Sequence, residues 1–532
     1  MKKIFPTIAA IILMYSFSSA QTTIPGGNVS GTWIFAGSPY LIQGAIMIPN
    51  DSTLTIEPGV TVNFQGTYKL YMQGRLLAIG TVADSITFTA ADTTNGWRGI
   101  RFDNTPATND TSKLIYCKIQ YSKVAGSGND ANGGALYFAN FSKAIVSDCH
   151  ISNNSADDKG GGIYCYTSSP IITYNTISNN SASDDGGGIY CGISSPTITN
   201  NIIFNNSASS WGGGIYCNGS SSIITNNTIS NNSAYYCGGG ICCDWSSLTI
   251  TNNTISYNSA SSYGGGGIHC YGSSSPIIIN NTISNNSANY GGGVYCSNNN
   301  SPTITNNTIS NNDATNGGAL YCNGNSDPTL QNTILWGNTA NTSGSQVFLY
   351  DEDSDPNFYY CDVQGSTSAF GLNGIFYTGT YENNIDADPL FVAPSDSITA
   401  DWSLQIGSPC INAGTPDTTG LDLPTTDLAG NPRIIGGHID IGAYEYQGSA
   451  SIYSVNNPDV LLIYPNPVTD YFFIETLQKS EIEISNIEEQ IIKRLTVNDN
   501  LTTVDLSNLS SGVYIIKAKT EKGIAIKKFI KQ

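Results

Sequence analysis

Apolar side chains recur through the middle of the chain with two periods at once. Within short runs such as Ile163-Tyr164-Cys165 they alternate with polar ones, the mark of a strand with two distinct faces. Between runs they return every 26 residues. Ile151, Ile177, Ile203, Ile229 and Ile255 keep that step, and Ile283, Ile309 and Ile334 continue it with slips of two or fewer. The repeated unit reads Asn175-Thr-Ile-Ser-Asn-Asn-Ser-Ala182, recurs at 227–234 and 281–288, and leads through a short variable turn into Gly-Gly-Gly-Ile-Tyr-Cys. One such unit cannot bury its own apolar face, whereas stacked units share a core and pair their strands in parallel at about 4.8 Å per coil. The expectation is an all-β solenoid, with eight units giving a rod roughly 40 Å long before its flanks are added.

The flanks follow from changes in this pattern. Residues 1–20 carry Lys2-Lys3, an apolar run from Ile4 to Phe17 and a small-residue end at Ser18-Ser19-Ala20, which predicts a secretory signal peptide cleaved before Gln21. Residues 21–125 alternate in runs such as Leu54 to Phe64 and Ile86 to Thr89, and predict an N-terminal cap and irregular coils of the same stack. Regular coils are expected over 126–345, a C-terminal cap over 346–447, a polar linker over 448–460 and a separate strand-rich module over 461–532. That last segment has nine Lys or Arg against nine Asp or Glu, and runs such as Phe472–Glu475, Ile482–Ile484 and Val513–Ala518.

Three stretches resemble known families. Gly-Gly-Ile-Tyr-Cys with Asn-Thr-Ile-Ser-Asn-Asn resembles the right-handed parallel β-helix repeats of secreted bacterial proteins, a scaffold shared by lyases, hydrolases, epimerases, adhesins and spacers. The segments Asp386–Phe391, Trp402–Gly414, Asp427–Arg433 and Asp440–Glu445 resemble the choice-of-anchor Q region that follows β-helices in surface proteins. Tyr464-Pro-Asn-Pro467, Leu509–Tyr514 and Lys527–Lys531 resemble the type A C-terminal sorting domain of the type IX secretion system. That last resemblance implies a small C-terminal β-sandwich, a Bacteroidota-type host, contact with the type IX machinery through 461–532, and release or attachment at the cell surface.

Charge and cysteine usage narrow the partners. Net charge is −19, and no Lys or Arg occurs from Gly160 to Pro432. Nucleic acid and anionic lipid both need clustered cations, so neither is an expected partner. No segment after the leader is long and apolar enough to predict a membrane span. Cys165, Cys191, Cys217, Cys243, Cys270, Cys296 and Cys322 recur at the repeat period, with Phe138 one unit earlier, which makes this a core column of buried thiols. Cys237 with Cys242, and Cys117 with Cys149, are placed so that an oxidising compartment would allow a disulfide in either pair.

Two sets of side chains are candidates for chemistry. Asp157, Asp158, Asp184 and Asp185 lie on turns of neighbouring coils. Asp158 and Asp184 would stack about 5 Å apart, close enough to share a proton or hold a hard cation such as Ca²⁺. Asp158, Asp184 and Asp185 would then serve a polysaccharide lyase or glycoside hydrolase; the plainer reading is polar turn residues. An elimination on uronates also needs a Lys or Arg base, and only Lys159, at the edge of the repeats, is near. The second set is aromatic. Tyr137, Tyr164, Tyr190, Tyr216, Tyr295 and Tyr321 share the outward strand position, interrupted by Cys242 and His269, and predict a self-packed column. Trp211, Tyr235, Tyr236, Tyr263 and Tyr290, in the variable turn, suit stacking on sugar rings or on another protein. The expected function is binding or display at the cell surface toward a glycan or a neighbouring surface component, without a required cofactor. Enzymatic processing through the acidic turns is the alternative. Paired threonines such as Thr197 and Thr199, Thr249 and Thr251, and Thr303 and Thr305 resemble ice-binding arrays, but isoleucines interrupt them.

Overall fold

The computed structural model describes residues 21–448 apart from 396, 398 and 399, and, in the C-terminal segment, 462–464, 468–475, 480–486, 490–497, 501–520 and 523–531. The expected leader, most of the linker and residues 465–467 of the Tyr464–Pro467 motif lie outside the described residues. Two compact units result, 1–446 and 447–532.

The larger unit is a parallel β-solenoid. Three sheets of 14 strands run its length, starting at Thr22–Ile24, Gly27–Asn28 and Gly31–Trp33 and called here the first, second and third sheets. A fourth sheet of nine short strands covers the variable turn from Lys123–Val124 to Thr339–Ser343. Like residues stack in register. Ile151, Ile177, Ile203, Ile229, Ile255, Ile283 and Ile309 form one inward column of the first sheet, each fully buried. The next rung is Leu335, not Ile334; Ile334 faces outward, paired with Thr308. The 26-residue step is therefore unbroken there. Both slips belong to one coil: Cys243 pairs with Cys270 and Ile255 with Ile283, so the extra residues sit in its turns.

The cysteine column behaves as predicted: all seven thiols are fully buried, Phe138 pairs with Cys165, and all thirteen cysteines are free. Burial pushes the Cys296 thiol well above its ordinary range, with hydrogen bonds to Cys270 and Cys322 adding to the rise. Such thiols are inert.

The asparagines divide in two. In each Asn-Asn corner the first residue takes a left-handed conformation, such as Asn179 at φ 54° and Asn205 at φ 54°, which Asn tolerates better than most residues. The second is buried and joins a ladder. Asn180 Nδ2 donates to Asn206 Oδ1 at 3.0 Å and to the Ile151 carbonyl at 2.9 Å, and Asn206 repeats this onto Asn232 and Ile177. A second ladder runs through Asn175, Asn201, Asn227, Asn253, Asn281 and Asn307. The first asparagine of each pair turns a corner. The others bond from coil to coil inside the core, where an unpaired amide would be costly. The triple glycine answers two demands. Gly186 has φ +69°, and a Cβ on Gly187 would stand 2.3 Å from the Ser207 carbonyl oxygen of the next coil.

Aromatic rings close the core. Trp33 stacks on Tyr40 at 4.6 Å near the first coil, and Phe370 packs on Phe358 and Tyr377 near the last. Coils continue to Tyr381–Glu382, beyond the regular repeats. Residues 386–446 then fold back along the outer face of the first sheet. Phe391, Trp402, Leu404, Cys410 and Ile441 bury Ile334 there. Thr415 N–H donates to Asn332 Oδ1 at 2.8 Å, and Ala443 N–H to Thr308 Oγ1 at 3.1 Å. This segment covers a flank of the rod.

The C-terminal unit packs a three-stranded sheet and a four-stranded antiparallel sheet around Phe472, Ile474, Ile482, Ile484, Ile516 and Phe529. Among the described residues no helix is long and apolar enough to cross a membrane.

Candidate functional site: a hollow in an aromatic column

The second sheet presents one outward column along the rod: Arg101, Tyr137, Tyr164, Tyr190, Tyr216, Cys242, His269, Tyr295, Tyr321 and Phe348. Its lower part is solid. The Arg101 guanidinium lies 4.0 Å over Tyr137, and the rings of Tyr137, Tyr164, Tyr190 and Tyr216 follow at 5.1, 4.9 and 5.4 Å. All four tyrosines are buried. Ring contacts resume above, where His269 stacks on Tyr295 at 4.7 Å, Tyr295 meets Tyr321 edge-on and Tyr321 stacks on Phe348, the last two both at 5.1 Å. Between them Cys242 and His269 take the place of two phenol rings.

A cavity of about 370 Å³ opens beside this gap, lined by Trp211, Tyr236, Tyr263, His269, Tyr271 and Tyr295 together with Cys237, Ser297, Asn298 and Asn323. Trp211 meets its neighbours edge-on, at 84° to Tyr216, 68° to His269 and 76° to Tyr271. Trp211 thus stands steeply to its neighbours, whereas His269 lies at 21° to Tyr295 and Tyr236 at 43° to Tyr263. His269 Nε2 lies 3.0 Å from Ser297 Oγ and Nδ1 lies 3.7 Å from Cys242 Sγ. Burial pulls the imidazole down to about 3, so it is neutral under ordinary conditions. Two positions further along the same strands, Tyr216 Oη donates to Asp244 Oδ2 at 2.7 Å and Asn218 Nδ2 donates to it at 2.6 Å. Asp244 Oδ1 and Asn323 Oδ1 are buried and find no hydrogen-bond partner among the described residues.

Of the five turn aromatics singled out in the sequence, Trp211, Tyr236 and Tyr263 line this cavity. Tyr235 stands exposed beside Tyr236 at 4.9 Å, and Tyr290 packs against Tyr321 at 5.0 Å. Neither Tyr235 nor Tyr290 is part of the wall. His269, Tyr271, Tyr295, Ser297, Asn298 and Asn323 were not anticipated. The break at Cys242 and His269, legible in the repeat, is the signal that points to them.

The acidic turns lie on the neighbouring coils. Lys159 Nζ reaches Asp185 Oδ2 at 3.2 Å and Asp184 Oδ2 at 3.5 Å, and stands 5.3 Å over the Tyr190 ring. Burial, then the charge of Asp184, pushes Asp185 up to about 6 against the pull of Lys159. Burial also raises Asp158, whose backbone carbonyl accepts from Asp184 N–H at 3.0 Å. Asp157 instead turns to the Gly126 N–H at 3.3 Å. Lys159 therefore occupies the place between the carboxylates that a hard cation would take. Among the described residues no three His, Cys, Asp or Glu side chains are grouped to hold a metal. Asp185 also joins the two candidate sets, since its Oδ1 accepts from the Trp211 N–H at 3.3 Å.

Comparison with known proteins bears on both units. Residues 462–532 match the secretion system C-terminal sorting domain, which directs the chain by type IX secretion to the cell surface or the extracellular space. An 83-residue stretch is 35% identical to protein bark beetle of Drosophila melanogaster, covering 15% of this chain. The chain spans 3% of the length of that curated relative. The model of the right-handed β-helix region matches residues 12–261 and 213–388, more than half of the sequence, and the chain belongs to that family.

Proposed function

We propose that this is a surface-displayed or secreted binding protein that holds a glycan in the hollow of the aromatic column, on a β-helix that serves as a rigid stalk. The observation that carries this reading is the 370 Å³ cavity walled by Trp211, Tyr236, Tyr263, Tyr271 and Tyr295. Its size falls in the range of small-ligand sites, about 300–1,000 Å³. Its chemistry fits too: apolar ring faces supply stacking area, while the tyrosine hydroxyls, Ser297, Asn298 and Asn323 supply hydrogen-bonding groups beside them. Export to the surface places such a site where glycans are met.

The second reading, polysaccharide processing at Asp158, Asp184 and Asp185, draws on the raised carboxyls beside Lys159. One experiment separates the two. The chain from Gln21 onward is incubated with neutral, acidic and amino polysaccharides, with and without Ca²⁺, and assayed for retention and for new reducing or unsaturated ends. Retention without turnover, lost in Trp211→Ala, is expected. Turnover abolished by Asp185→Asn would replace the binding reading with the enzymatic one.

A further inference from the structure

We propose that the hollow is a cage for an organic cation, and that the glycan it holds presents a protonated amine, as a hexosamine lacking its acetyl group does. This rests on the glycan reading above and names the chemical class of the ligand.

Three features converge. The first is wall geometry. Flat stacking on a neutral sugar needs one open ring face, whereas Trp211 stands at 76° to Tyr271 and 68° to His269, with Tyr236 and Tyr263 completing the rim. Several aromatic rings set at differing angles around one hollow can offer an ammonium group more than one electron-rich face, the interaction that attracts a cation. The second is the field. No Lys or Arg occurs from Gly160 to Pro432, and Lys159, the last before that gap, is tied to Asp184 and Asp185. His269, the remaining basic side chain of the wall, is neutral. An anionic sugar would find no counter-charge here, and a cation meets no repulsion. The third is a carboxylate held in reserve. Asp244, behind the wall rather than part of it, is 7% exposed; its Oδ2 is occupied by Tyr216 and Asn218, and its Oδ1 has no partner among the described residues. It pairs in register with Tyr271, a wall residue. A buried carboxylate oxygen left without a donor is expensive unless a positive group nearby compensates it.

The test is calorimetric titration of the chain from Gln21 onward in about 0.3 M salt, where diffuse attraction to an acidic protein is screened. The titrants are an oligosaccharide of glucosamine, its fully N-acetylated counterpart, an oligogalacturonate and tetramethylammonium. The free amine is expected to bind about tenfold more tightly than the acetylated form, with tetramethylammonium displacing it and the oligogalacturonate inert. Trp211→Leu, which leaves net charge unchanged, is expected to erase the preference; a circular dichroism spectrum like that of the parent shows that the coil is intact. Equal affinity for free and acetylated sugars, or a preference that survives Trp211→Leu, overturns the cage and leaves the glycan reading standing. Binding of tetramethylammonium with no oligosaccharide bound keeps the cage and overturns the glycan reading. No binding of any titrant overturns both.

Discussion

One column of the second sheet is solid over Tyr137 to Tyr216 and hollow over Cys242 and His269, although the backbone is alike in both. The glycine preceding each strand makes the same close approach. A Cβ on Gly212 would lie 2.5 Å from the Tyr216 Cβ, and one on Gly238 or Gly265 would lie 2.5 or 2.6 Å from the Cβ of Cys242 or His269. Coil geometry therefore permits a tyrosine at every rung, but two rungs carry smaller side chains, and Trp211 packs against the column there while the cavity opens beside His269. The solid part stabilises the rod. The part over Cys242 and His269 keeps His269 stacked on Tyr295 at 4.7 Å, loses the phenol-on-phenol contacts below it, and leaves apolar wall uncovered, as expected of a surface shaped for a ligand.

Hollowing the solid part gives the largest effect. Tyr190 is held between Tyr164 at 4.9 Å and Tyr216 at 5.4 Å and is 7% exposed. Tyr190→Ala removes both contacts and leaves a void, and is expected to cost about 3 kcal/mol in urea unfolding. Tyr190→Phe, which keeps the rings, should cost less than about 1 kcal/mol. If the two variants unfold alike, the column is not what stiffens this face.

Refilling the hollow is the complementary change. Cys242→Tyr combined with His269→Tyr restores an unbroken stack and places two rings in the cavity space. Glycan retention should fall about 100-fold, which is about 2.7 kcal/mol, while the thermal midpoint holds or rises. Retention at parental strength would mean that the ligand sits elsewhere, for instance on exposed Tyr235.

The same contrast shows what could be read from sequence. Period and alternation were enough for the solenoid, for the inward Ile and Cys columns and for the self-packed tyrosines, because one side chain repeated at one place faces one environment. Period says nothing of cover that comes from far along the chain. Thr228 is exposed, but Thr282 and Thr308, its equivalents on later coils, are 1% and 0% exposed because residues 386–446 lie over them. It also fails for Asn206 against Asn205: adjacent and identical, one bonds through the core and the other turns a corner. For the site, turn position supplied Trp211, Tyr236 and Tyr263. Their partners at Tyr271 and Asn323 come from the fourth position of the next strands, where the repeat varies freely between Gly192, Asn218, Asp244 and Ser297.

The smallest effect concerns the junction of the two parts, where Asp185 accepts from the Trp211 N–H and faces Lys159. Its carboxyl is raised from 3.8 to about 6. The folded chain therefore keeps this proton between about pH 4 and 6 while the unfolded chain has lost it. Stability from this group is greatest below pH 4 and declines as pH rises through that window. The difference in thermal midpoint between the parent and Asp185→Asn should follow that sign. Binding should run the other way: ionised Asp185 adds a negative charge beside the hollow, so tetramethylammonium, whose own charge does not titrate, should bind a few-fold more tightly at pH 7 than at pH 5. The groups facing Asp185 include Asp184, Lys159, Trp211, Tyr190, Tyr216 and Cys242. His269, held near 3, does not titrate in this range. A pH profile that is flat in Asp185→Asn and sloped in the parent assigns the dependence to this carboxyl. A slope that survives the substitution places it on another group and separates the acidic turns from the hollow.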